Sequence, residues 1–383
     1  MAMDYLQYMN MVRSDAKNPA PTRFLVSGVD TEVRMVVGNQ ILASAYSRGL
    51  PLFVLDHTKE ERDYSTGFGR YRVVDALNGE VSLCKDLLNV DSLKGISRLR
   101  SLLSDLGFDG NRAMKVVAYL NFVKETERRL GNDGPLTIRV LEEYGSTILV
   151  EWKLKQLVET GKLTEANGQY LLGRYSEVSS AAADFELFLV LFAPFIGSQG
   201  PSGDMALLLP VGEFGTDKPM QEMLCKLLLS YIKQHSADSV VLILDDGNGD
   251  GSCVMEVLKN LPASAEVHMF SDDAFSFDEA DRGVIMNKFA ARIYTRHENM
   301  GSCEKIEKLC GDVDIVKRSS STTVDHRFRT NSAWDLFLGT NRSDTETINA
   351  PVREPRFRKE YIQRLFPRSG IVDVGGNQTL ISF

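Results

Sequence analysis

Cysteine is sparse and unpatterned in this chain of 383 residues: Cys84, Cys225, Cys253, Cys303 and Cys310 form no C-x-x-C pair. With no histidine cluster at zinc spacing either, the sequence predicts free thiols in a reducing compartment and no metal site. It also lacks an apolar run of the about 20 residues that a bilayer-spanning helix needs. Its opening, MAMDYLQYMNMVRSDAKNPAPT, has neither the charged n-region nor the long apolar core of a signal peptide. The expected location is the cytoplasm, with any place at the inner face of the cell membrane reached through partners. Basic charge is not in excess: 44 Lys and Arg stand against 52 Asp and Glu, a net charge of −8, so no overall field draws in nucleic acid or an anionic membrane. What remains, 43% hydrophobic and 25% charged residues, is ordinary for a globular protein, at a length that suggests two domains.

The stretch from Arg23 to Glu60 organises the rest. FLVSGV ends an apolar run at Gly28, about twenty helix-compatible residues follow, and LPLFVLD ends a second run at Asp56, which together make a βαβ unit. In nucleotide-binding α/β proteins, that first strand-to-helix turn cradles phosphate through G-x-x-x-x-G-K-[ST]. Counted from Gly28, the second glycine falls on Val33, the lysine on Arg34 and the magnesium-holding hydroxyl on Met35. Gly28, Arg34 and Met35 thus hold the cofactor-binding position without its chemistry. Arg34 could stand in for the lysine, but with Thr31 and Val33 in place of glycine the backbone is not expected to form the anion nest.

YRVVDA, 71 to 76, reads as another short strand. From about residue 79 apolar residues recur at three- and four-residue intervals, through AMKVVAYLNFVKETERRL and TIRVLEEYGSTILVEWKLKQLV, to the apolar FELFLVLFAPFIG, 185 to 197, and a GSQGPSGD breaker. This predicts an all-α insertion over 79–202, with 185–197 a buried helix too short to span a bilayer. Alternating α/β sequence resumes at MALLLPVG, and SVVLILDDGNGDG then places Asp245 and Asp246 at the end of a strand buried on both faces. There a Walker B pair would hold Mg²⁺ through water and polarise an attacking water; the other reading is a solvated Asp/Gly turn.

The order of these parts resembles the coupling proteins of type IV secretion and conjugation, the TraG/TraD-like branch of the FtsK/HerA class of P-loop motors. Asp56-His57-Thr58-Lys59-Glu60 echoes their Asp-Pro-Lys-Gly-Glu-like strand end, and Asp245, Asp246, Asn248 and Gly251 keep four of seven places of their Walker B region in kind. NKFAARIYTRHENMGSCEKIEKLCGD, 287 to 312, and EPRFRKEYIQRLFPRSGIVDVGGNQTLISF, 354 to 383, look like the family's later helix end and closing two-strand finish. The resemblance covers nearly all of the chain from Thr22. It implies an α/β, P-loop NTPase-like (RecA-like) core over 22–78 and 203–383, with a mostly parallel sheet and helices on both faces, interrupted by the all-α domain at 79–202.

Departures from the family shape the functional expectation. The phosphate loop is absent, and where the family carries a γ-phosphate-sensing glutamine this chain has Ser271-Asp272-Asp273, whose added carboxylate would repel a nucleotide. The leading expectation is a non-hydrolysing component with no cofactor, acting by binding protein partners of a secretion or conjugation assembly, among them an active coupling ATPase. The alternative is an active motor ATPase moving DNA or protein, using ATP and Mg²⁺ with Asp245 and Asp246 catalytic, and ring-forming as such motors are. The insertion carries mixed charge, which fits a protein surface and not a phosphate backbone, so no DNA binding is expected of the isolated chain. His57, His235, His268, His297 and His326 read as surface or hydrogen-bonded residues. The basic run Arg353, Arg356, Arg358, Lys359, Arg364 and Arg368 reads as a solvated helix face, or as one turned to an acidic partner, to DNA or to a neighbouring subunit's nucleotide site, and SSSTTVDHRFRTNS, 319 to 332, reads as a mobile loop.

Overall fold

The computed structural model describes residues 23–57, 69, 71–84, 88–197, 199–214, 217–235, 240–245, 252–289, 291–315, 318–325, 341–348, 352–374 and 376–383. The N-terminal lead-in, the segment holding Thr58, Lys59 and Glu60, and Asp246, Asn248 and Gly251 lie outside these residues.

The βαβ unit forms as the apolar runs predict. Strand β1 (Arg23–Ser27) leads into helix α1 (Thr31–Ser47), and β2 (Leu52–Asp56) follows. Further along lie β3 (Arg72–Asp75), β4 (Met205–Leu209), β5 (Val240–Asp245), β6 (Glu266–Ser271) and β7 (Ala291–Tyr294), closed by β12 (Ser369–Val374) and β13 (Asn377–Ser382). They form one nine-stranded sheet in the order β13-β12-β7-β1-β6-β5-β2-β4-β3. Every pairing from β7 across to β3 is parallel, and only the two pairings made by β12, with β7 and with β13, are antiparallel. The predicted mostly parallel α/β fold is therefore the observed one.

Both faces of this sheet are buried, as continuous apolar strands require. On one side Phe24, Val26, Val54 and Phe270 pack with Val33, Val37 and Ile41 of α1. On the other, Leu25, Phe53, Leu55 and Met269 join the inner sides of α8 (Lys218–His235), α9 (Ser252–Asn260) and α10 (Glu279–Lys288). The end of α1 is tied to the start of β6, because Arg48 donates to both carboxylate oxygens of Glu266 at 2.8 and 3.0 Å while buried His268 meets the same group at 2.9 Å. Burial would push the Glu266 carboxyl up, but the bonds from His268 and Arg48 outweigh it and hold the group at about 2. A carboxylate depressed in the folded state stabilises above its unfolded value near 4.5 and loses that contribution as pH falls towards 2. Wild-type urea midpoints should therefore drop across this window more steeply than those of Glu266→Gln. Parallel pH profiles for the two proteins would sink the assignment.

Between β3 and β4 the α-helices are α2 (Leu93–Asp105), α3 (Gly110–Arg129), α4 (Ile138–Glu142), α5 (Thr147–Glu159), α6 (Glu165–Val178) and α7 (Ala182–Phe192), with no strand longer than a single bridge among the described residues. Their starts carry side-chain caps, with Ser92, Asp109, Thr137 and Thr164 each accepting from a backbone N–H one turn in. Entry and exit lie side by side, since Ser82 N donates to Gln199 O at 2.6 Å. A Cβ at Gly197 would stand 2.6 Å from the Val81 backbone, so only glycine admits that approach. The helical stretch shares its core with the sheet: Tyr119, Phe122, Phe185 and Phe188 belong to the same apolar cluster as Leu25 and Phe53. Helix α7 buries Phe185, Phe188, Leu189 and Phe192 but exposes Leu187 and Val190. The apolar segment is also longer than the thirteen residues read from sequence. The run Glu165–Phe195, 31 residues, is long and apolar enough to cross a membrane by length and composition, and half of its most apolar window is buried inside the protein.

By contacts the chain divides at Thr295/Arg296 and again at Leu365/Phe366. The smaller unit, Arg296–Leu365, contains α11 (Met300–Cys310), the antiparallel pair β8 (Asp312–Ile315) with β11 (Val352–Pro355), the ribbon β9 (Arg318–Asp325) with β10 (Asn341–Ile348), and α12 (Lys359–Gln363). One expectation is corrected here. Residues 319–325, read as loop from their Ser/Thr content, are the strand β9, whose ladder with β10 satisfies the backbone that those hydroxyls would otherwise compete for. The basic run is the solvated face that one reading expected: the Arg353 and Arg358 side chains are 81% and 60% exposed, with Arg358 beside Glu354 at 2.6 Å and Lys359 beside Glu304 at 2.6 Å.

The cysteine expectation is also corrected. Cys225 of α8 and Cys253 of α9 form a disulfide, their Cα atoms 6.4 Å apart, while Cys84, Cys303 and Cys310 are buried thiols outside any disulfide. Twenty-eight residues separate the two in sequence, and it is the parallel packing of α8 and α9 on one face of the sheet that brings them together.

Candidate functional site

From β1 the chain crosses beyond β6 and β5 to β2, whereas β7 lies on the other side of β1. The carboxyl end of β1 is thus a switch point, the place where open α/β sheets bind ligands. Gly28 makes the turn there with φ +131°, in the region that favours glycine, and its N–H donates to Ser271 O of β6 at 3.0 Å. Neighbouring strand ends are locked to the same turn: Ala274 N donates to Ser27 Oγ at 3.0 Å and Thr295 N to Ser27 O at 2.8 Å.

Helix α1 begins at this turn, so its first N–H groups are the natural anion donors. They are already engaged. Asp30 is the N-cap, and its Oδ1 accepts from Glu32 N and Val33 N, each at 3.1 Å. Its Oδ2 accepts from Arg368 N at 2.9 Å, a residue just before β12. Arg368 has φ +58°, the single positive φ of a non-glycine residue among those described, and its Nε donates to Glu32 at 2.5 Å. Strained backbone of this kind persists only where surroundings over-determine it, and here it delivers both a backbone and a side-chain donor to the carboxylates at the α1 N-terminus.

Arg34, in the place of a phosphate-loop lysine, is buried at 2% exposure. Its Nη2 donates to Gly28 O and to Asp272 Oδ1, closing an ion pair across the turn, while Nε and Nη1 have no hydrogen-bond partner among the described residues. Asp272, read from sequence as a charge that repels nucleotide, is thus also the counter-ion of Arg34. Met35 is exposed on the outer side of α1, and Asp245 ends β5 in register with Ser271 of β6. Gly28 and Arg34 therefore meet, Asp245 lies one strand beyond at the same sheet edge, and Met35 faces away. At this edge His57, immediately after β2, has both ring nitrogens buried with no hydrogen-bond partner among the described residues, and the Ser271 hydroxyl is likewise buried without one.

Sequence reasoning missed Asp30 and Glu32, and met Arg368 only as the end of a basic run. Asp30 was legible as an acidic residue directly before a helix. Nothing local signals that Arg368 would reach it across 338 residues. Around the α1 N-terminus three carboxylates (Asp30, Glu32, Asp272) face two guanidiniums (Arg34, Arg368), which leaves one net negative charge where a triphosphate would need positive potential.

No family model matches the sequence, and no curated protein is significantly similar to it. Among solved structures, the chain is similar to the bacterial conjugative coupling protein TrwBdeltaN70 in its sulphate-bound trigonal form, at 12% identity and a TM-score of 0.47, over 99% of this chain and 92% of that one. It is similar also to the plasmid coupling protein TrwB in complex with a non-hydrolysable ATP analogue, at 12% identity and a TM-score of 0.48, over 99% and 91%. The VirB4 protein of Thermoanaerobacter pseudethanolicus matches at 10% identity and a TM-score of 0.45, over 96% and 90%.

Proposed function

We propose that this chain is a coupling-protein-like component of a type IV secretion or conjugation system that neither holds nor hydrolyses nucleotide and acts by binding other proteins. The observation that carries the nucleotide half of this reading is the Asp30 carboxylate, which already accepts the α1 N–H groups that a phosphate would take. The Arg34–Asp272 pair removes the one cation at the lysine place. The order of elements behind the family resemblance, from β1 through the helical stretch to the two-strand finish, supports the secretion or conjugation setting.

The helical stretch is the recognition surface in this reading. It exposes Leu149 and Trp152 on α5 and Val190 on α7, at 52%, 60% and 70%, apolar groups of the kind that anchor protein contacts. An active coupling ATPase within the same assembly is the partner class this reading favours, with the chain held at the inner face of the membrane through it.

Calorimetric titration with ATP and Mg²⁺ tests the nucleotide half. Each missing phosphate contact is worth about 1.5 to 3 kcal/mol, and losing several together exceeds the about 8 kcal/mol of a micromolar complex. No saturable heat and no phosphate release are expected. A micromolar dissociation constant, or turnover abolished by Asp246→Asn, would overturn the reading in favour of a motor.

A further inference from the structure

Asn-Gly occurs three times in the chain, at 78, 167 and 248, and the last lies outside the described residues. The dipeptide has a chemistry of its own, because glycine leaves its amide nitrogen unshielded beside the side-chain amide of the residue before it. The structure treats the first two pairs in opposite ways.

Asn78 is exposed, in the turn that leads from β3 towards the helical stretch. Its N–H donates to Asp75 O at 3.2 Å, and its Oδ1 accepts from Glu80 N at 2.9 Å. The ring closed by this second bond contains both Asn78 Cγ and Gly79 N, so it draws the side chain back towards the nitrogen that follows and polarises the amide carbonyl. The Gly79 N–H itself donates to no group among the described residues. Gly79 has φ +71°, with no atom within 4 Å of where a Cβ would stand, which leaves room for a ring and for water.

Asn167 and Gly168 lie inside α6. Gly168 N donates to Thr164 O at 2.9 Å, and Asn167 Oδ1 accepts from Arg129 Nη1 of α3 at 2.7 Å. A Cβ at Gly168 would run into Val158. There the nitrogen is engaged, the side chain is pulled towards another helix and the space is filled, so reaction requires that turn of helix to open.

We propose that Asn78 is a site of spontaneous covalent modification. Gly79 N attacks Asn78 Cγ and closes a succinimide, while the bond from Cγ to the amide nitrogen breaks and that nitrogen leaves as ammonia, carrying the Gly79 proton. Water then opens the ring at either carbonyl, which gives aspartate or, with the main chain routed through the side chain, isoaspartate. Nothing is oxidised or reduced, and water is the co-reactant. Glu80 O accepts from Gln199 N at 3.3 Å, so isoaspartate at 78 lengthens the main chain beside the junction where the helical stretch is entered and left. The site is independent of the nucleotide reading.

The full chain, kept folded in mildly alkaline and in mildly acidic buffer, is sampled over time and digested for peptide mass spectrometry, with isoaspartyl methyltransferase labelling to tell isoaspartate from aspartate. Asn78 should convert at least about tenfold faster than Asn167, because a helical hydrogen bond must break before Gly168 N can attack. Conversion should quicken in alkali, which deprotonates the attacking nitrogen, and isoaspartate should be among the products. Asn78→Gln, whose ring would be one atom larger, should abolish the label in this peptide. In urea, where both turns are lost, the two rates should converge, which separates the effect of structure from that of sequence. Conversion of Asn78 no faster than that of Asn167 in the folded chain, aspartate without isoaspartate, or a difference in rate that persists in urea would overturn the proposal.

Discussion

Asp272→Ala is expected to lower unfolding stability by about 3 to 5 kcal/mol, the usual cost of removing one partner from a buried ion pair. The asymmetry of the pair sets that size. Asp272 is partly exposed, but Arg34 is at 2%, and without Asp272 its guanidinium keeps, among the described residues, only the Gly28 carbonyl. Two of its nitrogens are already without partners, so no neighbour stands ready to take up the charge. Asp272→Asn keeps an acceptor and should lose less. The double change Arg34→Met with Asp272→Ala should recover most of the loss, because an apolar side chain of similar volume carries no charge to desolvate. Urea denaturation read by circular dichroism measures all three, and a loss below about 1 kcal/mol for Asp272→Ala would mean that Asp272 does not hold Arg34. The nucleotide reading has a separate readout in the ATP titration, so the two stand or fall apart.

The second large effect belongs to the disulfide. Closing a 28-residue separation between Cys225 and Cys253 restricts the unfolded chain by about 3.5 kcal/mol in the chain-entropy account. Cys225→Ser with Cys253→Ser should lower the urea midpoint accordingly. Reductant should move the wild-type midpoint towards that of the double variant and leave the variant where it is. Thiol titration in denaturant without reductant gives the direct count: Cys84, Cys303 and Cys310 react, whereas Cys225 and Cys253 do not. Five reactive thiols would refute the bond. Both sulfurs are buried, so reduction of the folded protein should be slow compared with reduction in denaturant.

Periodicity made most of the architecture readable. The runs around Leu25, Phe53 and Val241 are apolar on successive residues because both faces of their sheet are covered, and that pattern alone implies parallel strands with helices on both sides. The three- and four-residue spacing from α2 to α7 likewise marks helices, whatever they pack against. Composition misled where a local tendency met a tertiary partner. Ser319 to Asp325 looks like loop until β10 supplies its ladder, and the 13-residue apolar segment is the end of a longer helical run. Five scattered cysteines carried no disulfide signal, because the bond depends on how far apart two helices settle on the sheet.

The sequence by itself determined the βαβ start, the strand alternation and the loss of the loop glycines, lysine and hydroxyl at Val33, Arg34 and Met35, because these follow from residue type and spacing along a few turns of chain. Only the tertiary structure decided what takes their place. Arg34 meets Asp272 across 238 residues and Asp30 meets Arg368 across 338, pairs that exist because parallel strands β1 and β6 end at one edge and the chain returns to that edge just before β12. Hydrogen bonds act over about 3 Å, so a site assembled from ends so distant in sequence leaves no trace in local pattern until the sheet brings them together.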